Sequence, residues 1–498
     1  MRNRTGKRLF GIIGALVAIA GVLLLVIFLP RASRQETMRP PSIFIAISDD
    51  QSWLHTHIAG DPVVKTPHFD RVARSGVFFT RVFSAAPSCS NSRAALLTGQ
   101  QIWRLKDAAN QGGPLRNEFD VYPDLLEAAG YKVGFTGKGW SPGDIEACGR
   151  SRNPAGNSYS QTIFNVLNFR NFLENLPHDQ PFCFWFGSTE PHPPYRKGAA
   201  QREGGMDPQD VVVPRHVPDT PEMREYLVDY LFEIQAFDRD LGNMLKLLES
   251  HHRLHDTIIV VTSDNGIDFP RAKATLYDLG TRVPLAIWWP EKMTGGRVID
   301  DLVSLTDIAP TFLAAAGVEI PKDVTGKSLL NILLSDRSGS IDATRRQVFT
   351  GRERHSPYRE GNVGYPMRAI RTDKFLYIRN FAPDRWPAGD PPHYADPPGE
   401  YRPKLAILEM KDSDEGRYFF DLCYGKRPKE ELYDLEKDPD QLVNVASDPE
   451  YTDTKRELWR RLRAYLEETG DPRAFGRDGG WDSMPWHGEF TYPGFENN

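Results

Sequence analysis

Short apolar segments alternate with amphipathic segments along most of the chain. The first apolar segment, Ser42–Ser48, reads SIFIAIS and is hydrophobic at nearly every position. This pattern is typical of a strand that is buried on both faces of a parallel sheet. Four later segments have the same character and are predicted to be strands: 131–137, 181–187, 257–263 and 283–289.

Helical patterns fill the intervals between these strands. A helix is predicted to begin at Thr66-Pro67 and to end at Gly76, because a cap residue followed by proline starts many helices and glycine ends them. The longest helix is predicted over Pro221–Ser250, and another over 307–316. Strands that alternate with helices through short links predict an α/β fold with a doubly wound, mostly parallel sheet flanked by helices.

The pattern changes after about residue 335. Residues 367–380 predict a β-hairpin, a stretch rich in proline and glycine follows over 383–403, and residues 451–468 predict a closing helix. We therefore predict a larger α/β domain over residues 41–335 and a smaller C-terminal α+β domain over residues 336–498.

Composition and charge narrow the functional classes. The chain has 498 residues, of which 40% are hydrophobic and 26% are charged, and its formal net charge is −6. The two signs are nearly balanced, so no nucleic-acid partner is expected. The four cysteines are too few and too scattered for a disulfide scaffold or a structural zinc cluster. The composition favours an ordinary globular enzyme, and it leaves the oligomeric state open.

The N-terminus carries a different signal. Residues 9–29 form an uncharged apolar run, and basic side chains at positions 2, 4, 7 and 8 precede it. A run of about 20 apolar residues is long enough to span a bilayer as a helix. We expect residues 1–40 to be a membrane anchor and linker that place the rest of the chain outside the cytoplasm. The alternative is a cleaved signal segment, which would leave a secreted or periplasmic protein.

Two predicted strands run directly into pairs of oxygen-bearing side chains. Asp49 and Asp50 follow the first strand, and Asp264 and Asn265 follow the strand at 257–263. In such sheets the carboxyl ends of the strands hold the functional site. Four hard oxygen ligands favour Ca²⁺, or Mg²⁺ as a less favoured ion, over a soft transition metal. The alternative is that these residues only make turns or cap helices.

A third candidate is Cys89, which is followed by a predicted helix. A helix N-terminus favours negative charge and lowers the pKa of a thiol, so we expect a reactive group there. The alternative is that Cys89 is a small buried hydrophobic residue, as lone cysteines often are.

The string from Ser88 to Gly99 (SCSNSRAALLTG) resembles the signature of the sulfatase family, which belongs to the alkaline-phosphatase-like superfamily. That signature is C-x-P/A-S-R followed by A-x-L-L-T-G, and its cysteine is oxidised to formylglycine. Further segments are similar to other motifs of the family and extend the resemblance from about Ser42 to the end of the chain: 137–140 (GKGW), 190–192 (EPH), 273–284 (KATLYDLGTRVP), 431–439 (ELYDLEKDP) and 444–446 (NVA).

The resemblance implies a hydrolase that releases sulfate from a sulfated saccharide. It implies that a formylglycine-generating enzyme matures the protein and that the hydrated aldehyde at position 89 attacks sulfur. The implied metal ligands are Asp49, Asp50, Cys89, Asp264 and Asn265. The implied catalytic residues are Cys89, Arg93, Lys138, His192 and Lys273. Among these, the cations would stabilise charge on the sulfuryl oxygens and the imidazole would protonate the leaving group.

Two positions depart from the family pattern. Asn91 stands where the signature has proline or alanine, and Trp140 stands where the family has a histidine that assists aldehyde regeneration. These departures keep open a second hypothesis, an inactive relative that binds sulfated glycans. Purely structural roles also stay open for two residues. The alternative for Arg93 is an ion-pair partner, and the alternative for His192 is a residue that shapes a loop. A phosphoryl hydrolase on the same fold is disfavoured because neither a Ser or Thr nucleophile nor a second metal cluster is found.

Substrate preference is predicted from a narrower resemblance, to the sulfamidase (heparan N-sulfatase) branch of the family. Segments 210–214, 217–221, 262–270 and 365–369 carry it. It implies hydrolysis of the N-sulfate of glucosamine, with an O-sulfated sugar as the alternative. We expect Trp140 to stack on the sugar and Arg282 and His355 to bind substrate, with segment 352–355 walling the pocket.

Overall fold

The computed structural model describes residues 40–392, 394 and 402–487. The predicted anchor at residues 9–29 lies outside these residues. Within the described part of the chain, no helix combines the length and the apolar character that crossing a bilayer requires. The described residues from 41 onward belong to one compact unit, and the boundary between residues 335 and 336 stays a prediction.

The larger of two sheets is mixed and mostly parallel. Its strands are β1 (Ser42–Ser48), β2 (Val77–Phe83), β3 (Lys132–Gly137), β4 (Asn157–Ser158), β5 (Phe182–Gly187), β6 (Thr257–Ser263), β7 (Arg282–Trp288), β8 (Arg297–Ile299) and β9 (Val303–Ser304). They are ordered β4-β3-β5-β1-β6-β7-β2-β8, and β9 pairs with β2. The described pairings are parallel except those of β7 with β6 and β2.

Helices cover both faces of this sheet. The helices of the described chain are α1 (Pro67–Ser75), α2 (Cys89–Thr98), α3 (Tyr122–Ala128), α4 (Asn165–Glu174), α5 (Ala199–Gly204), α6 (Pro221–Ser250), α7 (Asp278–Thr281), α8 (Ile308–Ala316), α9 (Leu330–Leu333), α10 (Arg402–Met410), α11 (Asp414–Cys423) and α12 (Thr452–Glu468). Alternate residues of β1 serve opposite faces: Ile43 and Ile45 join one core cluster, while Phe44 and Ala46 join another. The central strand is therefore buried on both faces, as its apolar run predicts.

A second sheet forms the C-terminal part of the fold. Its antiparallel strands are β10 (Gln347–Arg352), β11 (Met367–Thr372), β12 (Phe375–Asn380) and β13 (Glu430–Asp434). The predicted hairpin is present as β11 and β12, with Met367 opposite Asn380. Helix α12 packs on this sheet through Leu458 and Leu462, which share a cluster with Ile370 and Tyr377. The predicted fold class, a mostly parallel α/β sheet with a smaller C-terminal α+β part, is confirmed.

Candidate active site

Charged side chains converge at the carboxyl edge of the main sheet. Asp49 and Asp50 directly follow β1, Asp264 and Asn265 follow β6, and Lys138 follows β3. Since β1 and β6 are neighbouring parallel strands, their ends lie side by side. Asp50 has a positive φ of 73°, a left-handed conformation that Asp tolerates better than most residues. Its backbone N–H donates to Asp264 Oδ1 at 3.1 Å, which ties the two strand ends together.

Cys89 is the first residue of α2 and lies against the two aspartates. Its Sγ is 3.5 Å from Asp49 Oδ1 and 3.7 Å from Asp50 Oδ1. Burial raises the pKa of the thiol well above its ordinary value and outweighs the opposite influence of Lys138 and Lys273. The expectation of a lowered pKa is wrong, because burial and the neighbouring Asp49 and Asp50 disfavour the thiolate.

Arg93 lies one turn further along α2 and is fully buried. Its Nε donates to Asp264 Oδ2 at 2.8 Å, and Nη1 donates to the carbonyls of Lys138 and Gly139 at 2.7 and 3.0 Å. Nη2 lies 3.6 Å from Asp49 Oδ1 and has no hydrogen-bond partner. Arg93 therefore links helix α2 to the ends of β1, β3 and β6, and its charge lies beside both acidic strand ends.

Two lysines extend the cluster towards the solvent side. Lys138 Nζ donates to Asp49 Oδ2 at 2.6 Å, and Lys273 Nζ donates to Asp50 Oδ2 at 2.5 Å. Burial alone would raise the pKa of Asp49, but Lys138, with His192 and Arg93, lowers it to about 2. Burial would lower the pKa of Lys138, but Asp49 outweighs it and raises that pKa. Both partners of this pair are therefore charged at neutral pH.

His192 approaches the cluster from the loop after β5. Its Nε2 lies 3.8 Å from Asp50 Oδ2, and Nδ1 is 2.6 Å from the carbonyl oxygen of Pro193. The side chain is 38% exposed, whereas the aspartates beneath it are buried. The imidazole is thus placed between the buried charges and the solvent.

The acidic residues fit a divalent cation. Side-chain atoms of Asp49, Cys89 and Asp264 lie within 4.8 Å of one another, as do those of Asp50, Cys89 and His192. Asn265 Nδ2 donates to Asp50 Oδ1 at 2.7 Å, while the buried Asn265 Oδ1 has no hydrogen-bond partner. A buried carbonyl oxygen without a donor is costly, and a hard cation satisfies it.

The charge balance supports the same conclusion. Four carboxylates (Asp49, Asp50, Asp264 and Asp268) face three cations (Arg93, Lys138 and Lys273). A divalent cation added to this set turns its charge from negative to positive. Such a positive charge suits an anionic group that enters from solvent.

A cavity of about 810 Å³ opens above this cluster and includes Cys89, Lys138, His192 and Lys273 in its lining. His355 also lines it, and His355 Nδ1 is 2.7 Å from the hydroxyl of Ser88, one residue before Cys89. The structure therefore places His355, as expected, at the pocket wall.

Two of the expected substrate contacts lie elsewhere. Trp140 is only 1% exposed, and its indole N–H donates to the Ser90 carbonyl beneath the pocket wall. Arg282 lies over the Trp53 ring and donates to the Thr80 carbonyl. Neither residue lines the pocket, so stacking by Trp140 and substrate binding by Arg282 are wrong. Local motif matches do not show in which direction a side chain points.

Only part of segment 352–355 lies at the pocket wall, where the whole segment is predicted to lie. Arg352 and Arg354 are buried and donate to backbone carbonyls, including those of Ala274 and Asn362. Only His355 of this segment reaches the pocket. The guanidinium groups thus serve to hold loops and are not offered to acidic sugar groups.

The structure shows contacts of Asn91 and lining residues of the pocket that the sequence motifs do not predict. Asn91 is buried, and its Nδ2 donates to the Ala108 carbonyl at 2.7 Å. Gln111, Arg402, Trp486 and His487 line the pocket although no motif contains them. Trp486 and His487 follow the last predicted helix, in a tail that contains several aromatic residues, and no sequence signal shows which of them reaches the pocket.

Comparison with known proteins gives two family matches. A family model described as "Sulfatase" matches residues 41–318. A second, described as "N-sulphoglucosamine sulphohydrolase, C-terminal", matches residues 271–392. Together they extend over both sheets as far as the β12 region.

Individual relatives agree with these matches. The chain is 30% identical to the N-sulphoglucosamine sulphohydrolase of Homo sapiens over 92% of this chain and 95% of that one. It is 23% identical to an N-acetylglucosamine-6-O-sulfatase of Bacteroides thetaiotaomicron over 88% of this chain and 87% of that one. A solved structure of a protein in complex with its substrate D-glucosamine-2-N,6-O-disulfate superposes with a TM-score of 0.62, at 21% identity, over 87% of this chain and 98% of that one.

Proposed function

Because the chain belongs to the sulfatase family, as a sulfate-ester or sulfamate hydrolase, we propose that its substrate is the N-sulfate of a glucosamine residue at the end of a sulfated glycan. The observation that carries this proposal is the match of residues 271–392 to the N-sulphoglucosamine sulphohydrolase C-terminal family. That match covers Lys273 and residues 355–358 of the pocket lining, and the residues that line a site decide substrate preference.

The proposed chemistry uses residue 89 and a divalent cation. Asp49, Asp50, Asp264 and Asn265 would hold Ca²⁺, because all four offer hard oxygen ligands at one sheet edge. Converted to formylglycine, residue 89 would supply the nucleophilic oxygen, and the cation would lower the pKa of that oxygen. The contacts of Cys89 with both aspartates support placing the nucleophile next to the cation.

The chain's own cations would hold the sulfuryl group. Lys138 and Lys273 are on the pocket wall, and Arg93 backs them from within the cluster. Charge that develops on the sulfuryl oxygens is stabilised best by fixed cations in a site with little water. The proposal therefore assigns these residues to binding and orienting the transferred group.

His192 would donate the proton to the departing amine. Its exposed ring edge faces the pocket while Nε2 stays close to Asp50. An imidazole is the most common general acid among side chains. An amine is a poor leaving group unless it is protonated, and this makes the step important for an N-sulfate.

One observation favours a second candidate, an O-sulfatase. The relative from Bacteroides thetaiotaomicron is named as an N-acetylglucosamine-6-O-sulfatase and covers most of the chain. Its identity of 23% is lower than the 30% to the human protein, and we therefore rank the O-sulfate second.

The deciding experiment compares sulfate release from N-sulfoglucosamine and from 6-O-sulfated glucosamine. We expect the purified, matured protein to release sulfate from the first compound at least about 10-fold faster in kcat/KM. Cleavage of the O-sulfate alone would contradict the sulfamidase proposal and support the second candidate. Mass analysis of the peptide with Cys89 belongs to the same experiment, since formylglycine is lighter than cysteine and Asn91 departs from the maturation signature.

We also propose that residues 1–40 place the enzyme outside the cytoplasm, as a membrane anchor. The apolar run at residues 9–29 and the basic residues before it support this proposal. Cell fractionation with N-terminal sequencing tests it: the intact N-terminus should be found in the membrane fraction, whereas a shortened chain in the soluble extracytoplasmic fraction would indicate a cleaved signal.

A further inference from the structure

The end of the described chain returns to the active-site pocket as a strap, residues 481–487. Trp481 begins the strap and is buried, and its indole N–H donates to the Lys106 carbonyl at 2.9 Å. Asp482 accepts from the backbone N–H of Gly364 and from Arg385, at 2.8 Å in each case. The strap is therefore anchored to three separate parts of the fold before it reaches the pocket.

Arg354 fixes the middle of the strap. This buried side chain donates through Nη2 to the carbonyls of Met484 and Pro485, both at 2.9 Å. Its guanidinium carbon lies 5.7 Å from the centroid of the Trp486 ring. A charged donor on two successive carbonyls, with a cation–π contact on the next residue, restricts the orientation of Trp486.

Two consecutive residues couple the strap to the helix that begins at Cys89. Asn110 Nδ2 donates to the Trp481 carbonyl at 3.0 Å, and Asn110 Oδ1 accepts from the Arg354 backbone N–H. Gln111 Oε1 accepts from the hydroxyl of Ser90, at 3.0 Å. The strap is thus held in a fixed relation to residue 89, which a subsite next to a reacting group requires.

Trp486 ends this anchored segment at the pocket. It is half-buried, and it is the one tryptophan that lines the 810 Å³ cavity in the described part of the chain. Its indole nitrogen is buried and has no hydrogen-bond partner among the described residues. An indole offers a flat apolar face together with one N–H donor, and a pyranose ring offers a C–H face together with hydroxyl acceptors.

We propose that Trp486 is the sugar-binding wall of the pocket: its ring packs against the saccharide that bears the sulfate, and it is a specificity-determining residue for that saccharide. The identity of the sugar rests on the proposed function. The sulfate group is bound separately, by the cations next to Cys89. Because the strap is anchored before substrate arrives, little side-chain entropy is lost when the sugar binds, and the stacking contact adds directly to affinity.

The test measures binding in the full-length Cys89→Ala protein, so that neither maturation nor turnover enters the result. Isothermal titration calorimetry with N-sulfoglucosamine and with inorganic sulfate is applied to this protein and to its Trp486→Ala and Trp486→Phe derivatives. We expect Trp486→Ala to weaken sugar binding about 10-fold or more and Trp486→Phe by less than about 3-fold, since phenylalanine keeps a stacking face. Affinity for inorganic sulfate should change by less than about 2-fold in both derivatives.

A matched control and a second variant keep the result decisive. Phe475→Ala removes an exposed aromatic residue from the same C-terminal region and should leave both affinities unchanged. If Trp486→Ala does not fold, as judged by its melting temperature, Trp486→Leu replaces it, since leucine keeps apolar volume but has no flat face. Equal weakening towards sugar and sulfate would show a merely structural role and overturn the proposal, as would no weakening at all.

The failure of the proposed substrate gives a different result. If the Cys89→Ala protein binds 6-O-sulfated glucosamine and not N-sulfoglucosamine, the sulfamidase proposal fails. The comparison of Trp486 derivatives is then made with the 6-O-sulfated sugar and still decides the role of Trp486. Absence of binding to either sugar overturns the role of Trp486 as a sugar wall.

Discussion

Two clusters of buried charges lie in this molecule, and they differ in how completely they are paired. The site cluster consists of Asp49, Asp50, Asp264, Arg93, Lys138 and Lys273. The clamp cluster consists of Glu353, Arg368, Asp471 and Arg473. In the clamp cluster, Arg368 donates to Glu353 at 2.7 Å and to Asp471 at 2.6 Å. Arg368 thereby joins strand β11 to the segment that follows helix α12.

The difference between the clusters shows which one is built for binding. No side-chain nitrogen or oxygen of the four clamp residues is buried without a hydrogen-bond partner in the described structure. Around the site cluster, Arg93 Nη2, Asn265 Oδ1 and Asp268 Oδ1 have no hydrogen-bond partner in the described structure, and a pocket lies above them. Buried ion pairs by themselves are weak evidence of function. Unsatisfied groups beneath a cavity are the feature that distinguishes a binding site from a structural clamp.

The largest expected effect comes from removing the nucleophile position. Cys89→Ala should reduce sulfate release from N-sulfoglucosamine to background, because no neighbouring side chain can replace the formylglycine oxygen. The free energy of unfolding should fall by only about 1 kcal/mol, since a single sulfur atom is lost. Cys423→Ala is the matched control, as Cys423 is also buried but lies outside the pocket lining, and it should keep full activity. Turnover by the Cys89→Ala protein would contradict the covalent mechanism.

A substitution in the clamp cluster should lower the stability of the fold far more than Cys89→Ala does. Arg368→Met leaves the carboxylate of Asp471 buried without its ion-pair partner, while Glu353 keeps Arg473, so the free energy of unfolding should fall by about 3–5 kcal/mol. Urea denaturation followed by circular dichroism measures this loss. Arg460→Met removes an exposed ion pair with Glu457 and should cost less than about 1 kcal/mol. A small loss for Arg368→Met would mean that the two clusters do not differ as proposed.

Metal binding is a third property in which we expect the site cluster and the clamp cluster to differ. Ca²⁺ at about 100 times its dissociation constant should stabilise the native protein by about 2.7 kcal/mol relative to a chelator-treated sample. Asn265→Ala removes the unpartnered carbonyl oxygen and should weaken Ca²⁺ binding in calorimetry, whereas Arg368→Met should not. Mg²⁺ at the same concentration should stabilise less, because it demands a stricter geometry. Equal Ca²⁺ affinity in the wild-type and Asn265→Ala proteins would remove Asn265 from the ligand set.

Much of the fold could be predicted from the sequence, because burial on both faces leaves a continuous apolar run. Strand β6 and helix α6 begin and end at the predicted residues. The limits of β3, β5 and β7 differ from their predicted limits by one residue. The antiparallel direction of β7 was not predicted. The connection from β6 to β7, residues 264–281, contains only the four-residue helix α7 and lacks the long helix that usually crosses between parallel strands. Strand β2 (VFFTRVF) was missed because its interior includes Thr80 and Arg81.

The site was predictable where it depends on strand ends and not where it depends on side-chain direction. Asp49 and Asp264 come together because β1 and β6 are parallel neighbours, a consequence of topology. Trp140 and Arg282 belong to matching motifs, but they turn into the protein and find partners there. Trp486 reaches the pocket only because Arg354 and Asn110 hold the strap, and contacts so distant in sequence leave no local pattern.

The smallest expected effect concerns a buried titratable residue that belongs to neither cluster. Burial, with the nearby Arg271, lowers the pKa of His216 to about 3, and its Nε2 donates to the Pro270 carbonyl at 2.9 Å. In the unfolded chain the pKa of histidine is about 6.5, so on acidification the unfolded state binds this proton first. The stability that the neutral imidazole provides is therefore present above pH 6.5 and is lost as pH falls towards 3.

His216→Gln isolates this contribution, since a glutamine amide can keep the donor to Pro270 without titrating. Between pH 6 and 4, wild-type stability should fall by up to about 1.4 kcal/mol per pH unit more than that of the variant, as measured by urea denaturation at each pH. His178→Gln, at an exposed site, should reproduce the wild-type slope. Equal slopes for the wild type and His216→Gln would mean that acid sensitivity originates elsewhere, and the carboxylates of the site and clamp clusters would then be the first groups to test.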